Sequence, residues 1–170
     1  TSEGSDVGTA QNVLGNSEVL VTFVGAKGIQ KFTLPTDAEV IGSISDEKVD
    51  TMYYLIWTSV ADYILSWRRG DDSPKFVFID TNKNVLKFDI NKLITGINVV
   101  DDMLFWTDNV NEPRKINVRR CKDGTYENNQ TQLLNNSTGN FSTIEEKHIT
   151  VIKKAPVSAP GMILKTARDL

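Results

Sequence analysis

The chain is poor in the residues from which most protein chemistry is built. Of its 170 residues, one is a cysteine, Cys121, and one is a histidine, His148. A single cysteine excludes an intrachain disulfide and with it a small disulfide-stapled fold. One Cys and one His cannot complete a structural zinc site without a partner chain. No Asp-x-Asp-x-Asp-Gly loop is present to hold calcium. No apolar run approaches the roughly 20 residues that cross a bilayer as a helix, so no membrane partner is expected. The first residues are polar and lack a basic start, so no secretory signal is read there. No amphipathic helical period of useful length occurs, which leaves strands to build the core.

What is present fits a folded protein. Hydrophobic residues make up 39% and charged residues 24%, too apolar for intrinsic disorder. The net charge of -3 is too mild for a general polyanion binder. The first residue is Thr1, and the expectation is a piece of a longer precursor. Three regions are expected: a polar N-terminal segment (1–17), a β-rich body (18–154) and an Ala/Pro linker to a following domain (155–170). Residues 162–164 would begin a further strand.

The body is organised around residues 101–118. Residues 103–106 (Met-Leu-Phe-Trp) form a short continuous apolar run, the pattern of a strand covered on both faces. Residues 107–113 are rich in Asp, Asn and Pro, which punctuate regular structure. Residues 114–118 alternate polar and apolar, as a half-buried strand does, and Asp123-Gly124 is expected to close the hairpin. Upstream, strands are expected at 19–24, 29–34, 40–44, 52–57, 63–67, 76–79 and 97–100. Of these, 52–57 reads as covered on both faces and 63–67 as alternating. Residues 81–96 read as a loop with one helical turn, 128–142 as a polar excursion and 148–153 as a last strand.

Residues 50–72 and 102–124 repeat one pattern. An Asp precedes an apolar run ending in Trp-Thr, a turn follows, and a second strand ends in a basic pair. Trp57 and Trp106 are 49 residues apart, Arg68 and Arg119 are 51. A period near 50 made of short strands marks β-propeller blades. A closed propeller takes roughly 4–8 blades of about 40–50 residues, and this chain has room for two or three. An open stack would expose apolar faces. The expected fold is therefore all-β, part of a β-propeller completed by other chains or fragments. A self-sufficient β-sandwich is the alternative.

The stretch Leu104-Phe105-Trp106-Thr107-Asp108 followed by Arg114-Lys115-Ile116 resembles the Tyr-Trp-Thr-Asp propeller repeat of lipoprotein-receptor ectodomains, with Phe105 in the Tyr position. The single cysteine and longer period depart from that family. A broader resemblance runs over residues 10–162. In order come Gln11-Asn12-Val13-Leu14-Gly15-Asn16-Ser17, Val40-Ile41-Gly42-Ser43-Ile44, the strand from Tyr53 to Trp57, and 93–102. Asn111-Glu112-Pro113-Arg114-Lys115-Ile116-Asn117, the most specific part, and Lys154-Ala155-Pro156-Val157-Ser158-Ala159-Pro160 complete the series. These motifs resemble the propeller-bearing tail structural proteins of bacteriophages infecting Bacteroidetes, the crAss-like phages included, where the corresponding protein is the tail muzzle. The resemblance implies a virion structural protein at the tail tip, arranged as a ring that helps close or gate the channel until infection. The implied partners are remaining fragments of the same precursor, symmetry copies, and nozzle or ring proteins of the tail. It implies no catalytic residues, and neither a cofactor nor enzymatic activity is expected.

The expected structural motif comprises Trp57, Phe105, Trp106, Thr107, Asp108, Glu112, Pro113, Arg114 and Lys115. The indole would be buried between blades and the aspartate would cap the turn. Arg68, Arg69, Arg119 and Arg120 are candidates for contact with channel DNA or with neighbouring subunits. His148 is read as a strand-face histidine in preference to a ligand or base. Adjacent strand residues point to opposite faces, so Asp101-Asp102 reads as a turn, not as paired acids. Asp71-Asp72 reads likewise. Asn129, Asn135, Asn136 and Asn140 each head an Asn-x-Ser/Thr match, the glycosylation signal of secreted proteins, which comes easily in an Asn-rich stretch. A receptor- or glycan-binding propeller module is the alternative function. A hydrolase on a propeller is the third, and the lack of clustered acids argues against it.

Overall fold

The computed structural model describes residues 21–25, 28–126, 129–135 and 138–153. The segments 1–17 and 155–170, Asn136 and the strand expected at 162–164 lie outside the described residues. The chain is mostly strand, in antiparallel sheets, with few helical residues.

Strands β1 (Val21–Gly25) and β2 (Gly28–Phe32) form a hairpin. Four further strands then run as an antiparallel meander: β3 (Glu39–Asp46), β4 (Thr51–Trp57), β5 (Asp62–Arg68) and β6 (Lys75–Asp80). A parallel pairing of Thr22 with Lys75 joins β1 to β6 and gives the sheet order β2-β1-β6-β5-β4-β3. A second meander follows, of β7 (Gly96–Val100), β8 (Met103–Thr107) and β9 (Arg114–Asn117). Helix α1 (Val118–Asp123), the hairpin of β10 (Gln132–Leu134) with β11 (Phe141–Thr143), and helix α2 (Glu146–Ile149) complete the order.

The main core lies between the two meanders. Ile41, Leu55, Ile64, Val77 and Phe78 come from the first sheet, and Leu104, Trp106 and Ile116 from the second. Val85, Leu86, Phe88 and Ile94, from the connection between β6 and β7, fill the space between them. Each such side chain, fully buried, contributes about 1.5–3 kcal/mol. A second core covers the other face of the first sheet, with Ile56, Tyr63, Leu65, Phe76 and Ile79 packed under Phe32, Leu34 and Ala38. The Phe32 ring stands 5.4 Å from Phe76 and 6.1 Å from Tyr63. With apolar layers on both sides, β5 is buried from Asp62 through Ser66, and the half-burial expected of 63–67 is not seen. At Gly42 a Cβ would come within 2.8 Å of the Ile94 carbonyl oxygen. Only glycine lets β3 and the chain entering β7 approach so closely.

The 85–88 segment is held by side chains of the first sheet. Asp80 Oδ2 accepts from the N–H groups of Val85 and Leu86, both at 2.7 Å, and Asp62 Oδ2 accepts from Phe88 N–H at 2.9 Å. Lys83 and Lys87 adopt positive φ, at 53° and 48°, a conformation that costs an ordinary residue about 1–3 kcal/mol unless its surroundings fix it. Ion pairs fix both: Lys83 with Asp62 at 2.9 Å and Lys87 with Glu146 at 2.6 Å.

Three further expectations are corrected. Asp123-Gly124 does not close a hairpin; residues 118–123 form helix α1. Asn117 starts it, accepting from Arg120 N–H at 2.9 Å, and Gly124 ends it, donating to the carbonyls of Arg120 and Cys121. Residues 148 and 149 belong to α2 and not to a strand, because Glu145 and His148 form a capping box. Strand pairing resumes at Thr150, which bridges to Arg114 beside β9. Finally, the run 103–106 is covered on one face only. Leu104 and Trp106 are buried while Met103 and Phe105 are half-buried on the outer face.

Candidate functional site

The Trp-Thr-Asp hairpin acts as a packing and turn device. Trp106 at the end of β8 is buried between the sheets, edge-on to Phe88 with centroids 6.4 Å apart. Asp108 closes the turn, accepting from the N–H groups of Val110 (3.0 Å) and Asn111 (2.7 Å) and from the Asn111 amide (2.6 Å). Burial pushes its carboxyl up, but these donors outweigh burial and hold it below the usual range. Thr107 is a weak helper, accepting from Asn109 N–H at 3.4 Å. In the matching unit Thr58 does the local capping, helped by Asp37, which accepts from Ser59 N–H at 2.8 Å. Thr58 is fully buried, donates to the Ala61 carbonyl at 2.7 Å and accepts from Ala61 N–H at 3.0 Å. Trp57 is partly buried against the core, with the Lys83 ammonium 4.6 Å from its ring.

Glu112 and Pro113 are exposed, and Pro113 accepts from Val151 N–H at 2.9 Å. Lys115 is half-buried on the outer face of β9. Arg114 points the other way, 2% exposed, where it donates to the Leu86 carbonyl and pairs with Glu146 at 3.0 Å. The sequence does not flag this inward arginine beyond its place in a motif.

Of the four candidate arginines, the fold brings two together. Arg68 at the end of β5 and Arg119 in α1 line one cleft of about 410 Å³ at the end of the sheet pair. Lys75 and Lys122 line it too, with Asp71, Asp102, Thr51, Ser66, Val49, Val118 and Tyr53. The turns are arranged by local chemistry. Arg68 to Asp71 is a tight turn with Asp71 N–H on the Arg68 carbonyl at 2.9 Å, and Gly70 supplies the required φ of 90°. The next hairpin turns at Asp101, φ 52°, and the Asp102 carbonyl accepts from Val118 N–H at 2.8 Å, tying α1 to the cleft wall. Asp101 and Asp102 therefore act as a turn. Arg69 does not line this cleft, and Arg120 lies beside a different hollow with Lys115, Cys121 and His148.

Lys122 belongs to the basic run with Arg119 and Arg120 and shares α1 with them. Lys75 escaped the sequence reading because it stands alone in it, and only the packing of α1 on β6 puts it beside Arg119 and Lys122. Lys75 pairs with Asp71 at 3.1 Å. Arg68, Arg119 and Lys122 form no ion pair among the described residues. Burial, and then the nearby Lys75, push the Lys122 amine below its usual value, with Asp71 partly opposing. Burial, then Asp46 and Asp102, push the Tyr53 hydroxyl up.

His148 is exposed, and its Nδ1 accepts from Glu145 N–H at 3.0 Å as part of the helix cap. Among the described residues no group of His, Cys, Asp or Glu could hold a metal ion, and no helix is long and apolar enough to cross a membrane. No family model matches the chain, and no curated protein and no solved structure matches it.

Proposed function

We propose that the chain is a virion structural component, a set of β-propeller blades in a phage tail tip that assemble with symmetry copies and other tail proteins. In this reading it belongs to a ring that helps close or gate the tail channel until infection. The observation that carries the assembly part is the outer face of the β7–β9 sheet. Met103 and Phe105 are half-buried there, on a strand whose composition suits coverage on both faces, and Val100, paired with Met103 from β7, is 51% exposed. Sheet stacked on sheet through Leu104, Trp106 and Phe78 is how adjacent blades pack, and a further sheet on that face would complete the pattern. The tail assignment rests on the resemblance of the Asn111 to Asn117 stretch, and of the motif order, to phage tail proteins. The reading includes no catalysis.

The test is photocrosslinking in assembled particles, with p-benzoylphenylalanine at position 105. Crosslinks to a second copy or to another tail protein are expected. A 170-residue product that is folded, soluble and monomeric at high concentration would overturn the reading.

A second reading, a glycan-binding module, is favoured by one feature. Tyr126 and Phe141 are 51% and 53% exposed and line a cleft of about 720 Å³ with Asn129, Gln130 and Gln132. Aromatic faces beside amides suit sugars. Glycan-array binding by the monomer would favour it.

A further inference from the structure

We propose that the cleft formed by Arg68, Lys75, Arg119 and Lys122 binds a phosphoryl group. The proposal is independent of tail assembly.

Four cationic side chains and two carboxylates, Asp71 and Asp102, line the cleft. It therefore carries an excess of positive charge in a chain whose net charge is -3. The excess is not neutralised internally. Among the described residues only Lys75 of the four has an ion pair, and Asp71, its partner, is the carboxylate whose charge acts on Lys122 as well. A half-buried ammonium that lacks its own counter-ion and faces a second ammonium is costly. A bound anion would remove that cost.

The shape points to more than a lone ion. At about 410 Å³ the cleft falls in the range of small-ligand sites, about 300–1,000 Å³. Its wall mixes the hydroxyls of Thr51, Ser66 and Tyr53 with the apolar surfaces of Val49 and Val118. Arginine forks bind phosphoryl oxygens two at a time, and lysines add point charge. Arg68 and Arg119 come from different elements, one from the first sheet and one from α1, so a phosphoryl group between them would bridge both. Phosphorylated small molecules and the nucleic-acid phosphodiester share this chemistry.

Calorimetric titration of the purified chain with pyrophosphate, with a nucleoside diphosphate and with a short single-stranded oligonucleotide tests the proposal. Binding of at least one is expected, weakened at least about tenfold, a change of about 1.4 kcal/mol, in Arg68→Ala/Arg119→Ala. Arg69→Ala/Arg120→Ala, removing equal charge outside the cleft, is expected to stay within about twofold on the same scale. Lys122→Gln, checked for folding by its thermal transition, is also expected to weaken binding. Binding of pyrophosphate or the diphosphate identifies a small-molecule site. Binding of the oligonucleotide alone, with affinity falling steeply in salt, identifies the phosphodiester as the source. No binding of any probe, or equal loss in the two double variants, would overturn the proposal.

Discussion

Asp62 and Asp80 sit opposite each other on β5 and β6, neither with any exposed surface, and their carboxylates hold the same piece of chain. Like charges directly opposed across strands are destabilising. This pair persists because each carboxylate accepts from buried N–H groups of residues 85–88. Lys83 stands 2.9 Å from Asp62 Oδ1, and the Gln130 amide donates to Asp80 Oδ1 at 3.2 Å. Asp80→Ala would orphan the Val85 and Leu86 donors at about 1–3 kcal/mol each. Urea unfolding should show Asp80→Ala as severe and Asp80→Asn, which keeps an acceptor, as milder. Equal stability of the two variants would count against the anchoring role.

Lys83 is predicted to act through Asp62. Burial pushes the Asp62 carboxyl up, with Asp80 adding slightly, while Lys83 and the Phe88 N–H pull it down. A raised acid is least costly when protonated, so its penalty appears as pH rises through its folded value. Removing the ammonium in Lys83→Met raises that value further. The variant should match the parent in acid and fall behind toward neutral pH, by about 3–5 kcal/mol for a broken buried pair. Adding Asp62→Asn should recover much of the loss. A pH-independent deficit would show that packing against Trp57 matters more.

The Arg114–Glu146 pair gives the opposite pH sign. A hydrogen bond from Lys87 holds the Glu146 carboxyl below the usual range against some burial, with the Lys87 and Arg114 charges helping. That stability is present above the ordinary Glu value and is lost as pH falls through the folded one. Arg114 is 2% exposed and its Nε has no partner, so it depends on Glu146. Glu146→Gln is expected to cost about 1–3 kcal/mol at neutral pH. The deficit relative to the parent should shrink in acid, where the parent carboxylate is itself protonated.

The strands were legible because their residues announce themselves. Val, Ile, Phe and Tyr run through β3 to β6, and polar turns, two of them rich in Asp, separate them. Trp57 and Trp106 each lie near the end of the second strand of their meander, but Trp106 is buried and Trp57 only partly so. The basic pair Arg119-Arg120, read as ending a strand, lies in α1. The helices were not legible. Neither α1, 6 residues long, nor α2, 4 residues long, completes enough turns to print a helical period, and only the caps at Asn117, Gly124 and Glu145 mark them. The basic cleft was half legible. Arg68, Arg119 and Lys122 stand in the repeat, but Lys75 joins them through the docking of α1 on β6, a long-range contact that no local pattern encodes.

Cys121 carries the last prediction. It is 6% exposed inside α1, and burial pushes its thiol up to about 12, against a small opposing pull from Arg120. The thiolate is the reactive form. At pH 8 the native chain should therefore resist a disulfide reagent, and labelling should appear only as the chain unfolds in urea. The raised value also ties the thiol to alkaline stability. The folded state keeps its proton where the unfolded thiol loses it, so stability is full below the ordinary thiol value and declines as pH rises toward the folded one. The slope for one such group is about 1.4 kcal/mol per pH unit. Cys121→Ala should flatten that alkaline decline whatever it costs in packing at neutral pH. Rapid labelling of the native chain, or an unchanged alkaline slope in the variant, would refute the burial of this thiol.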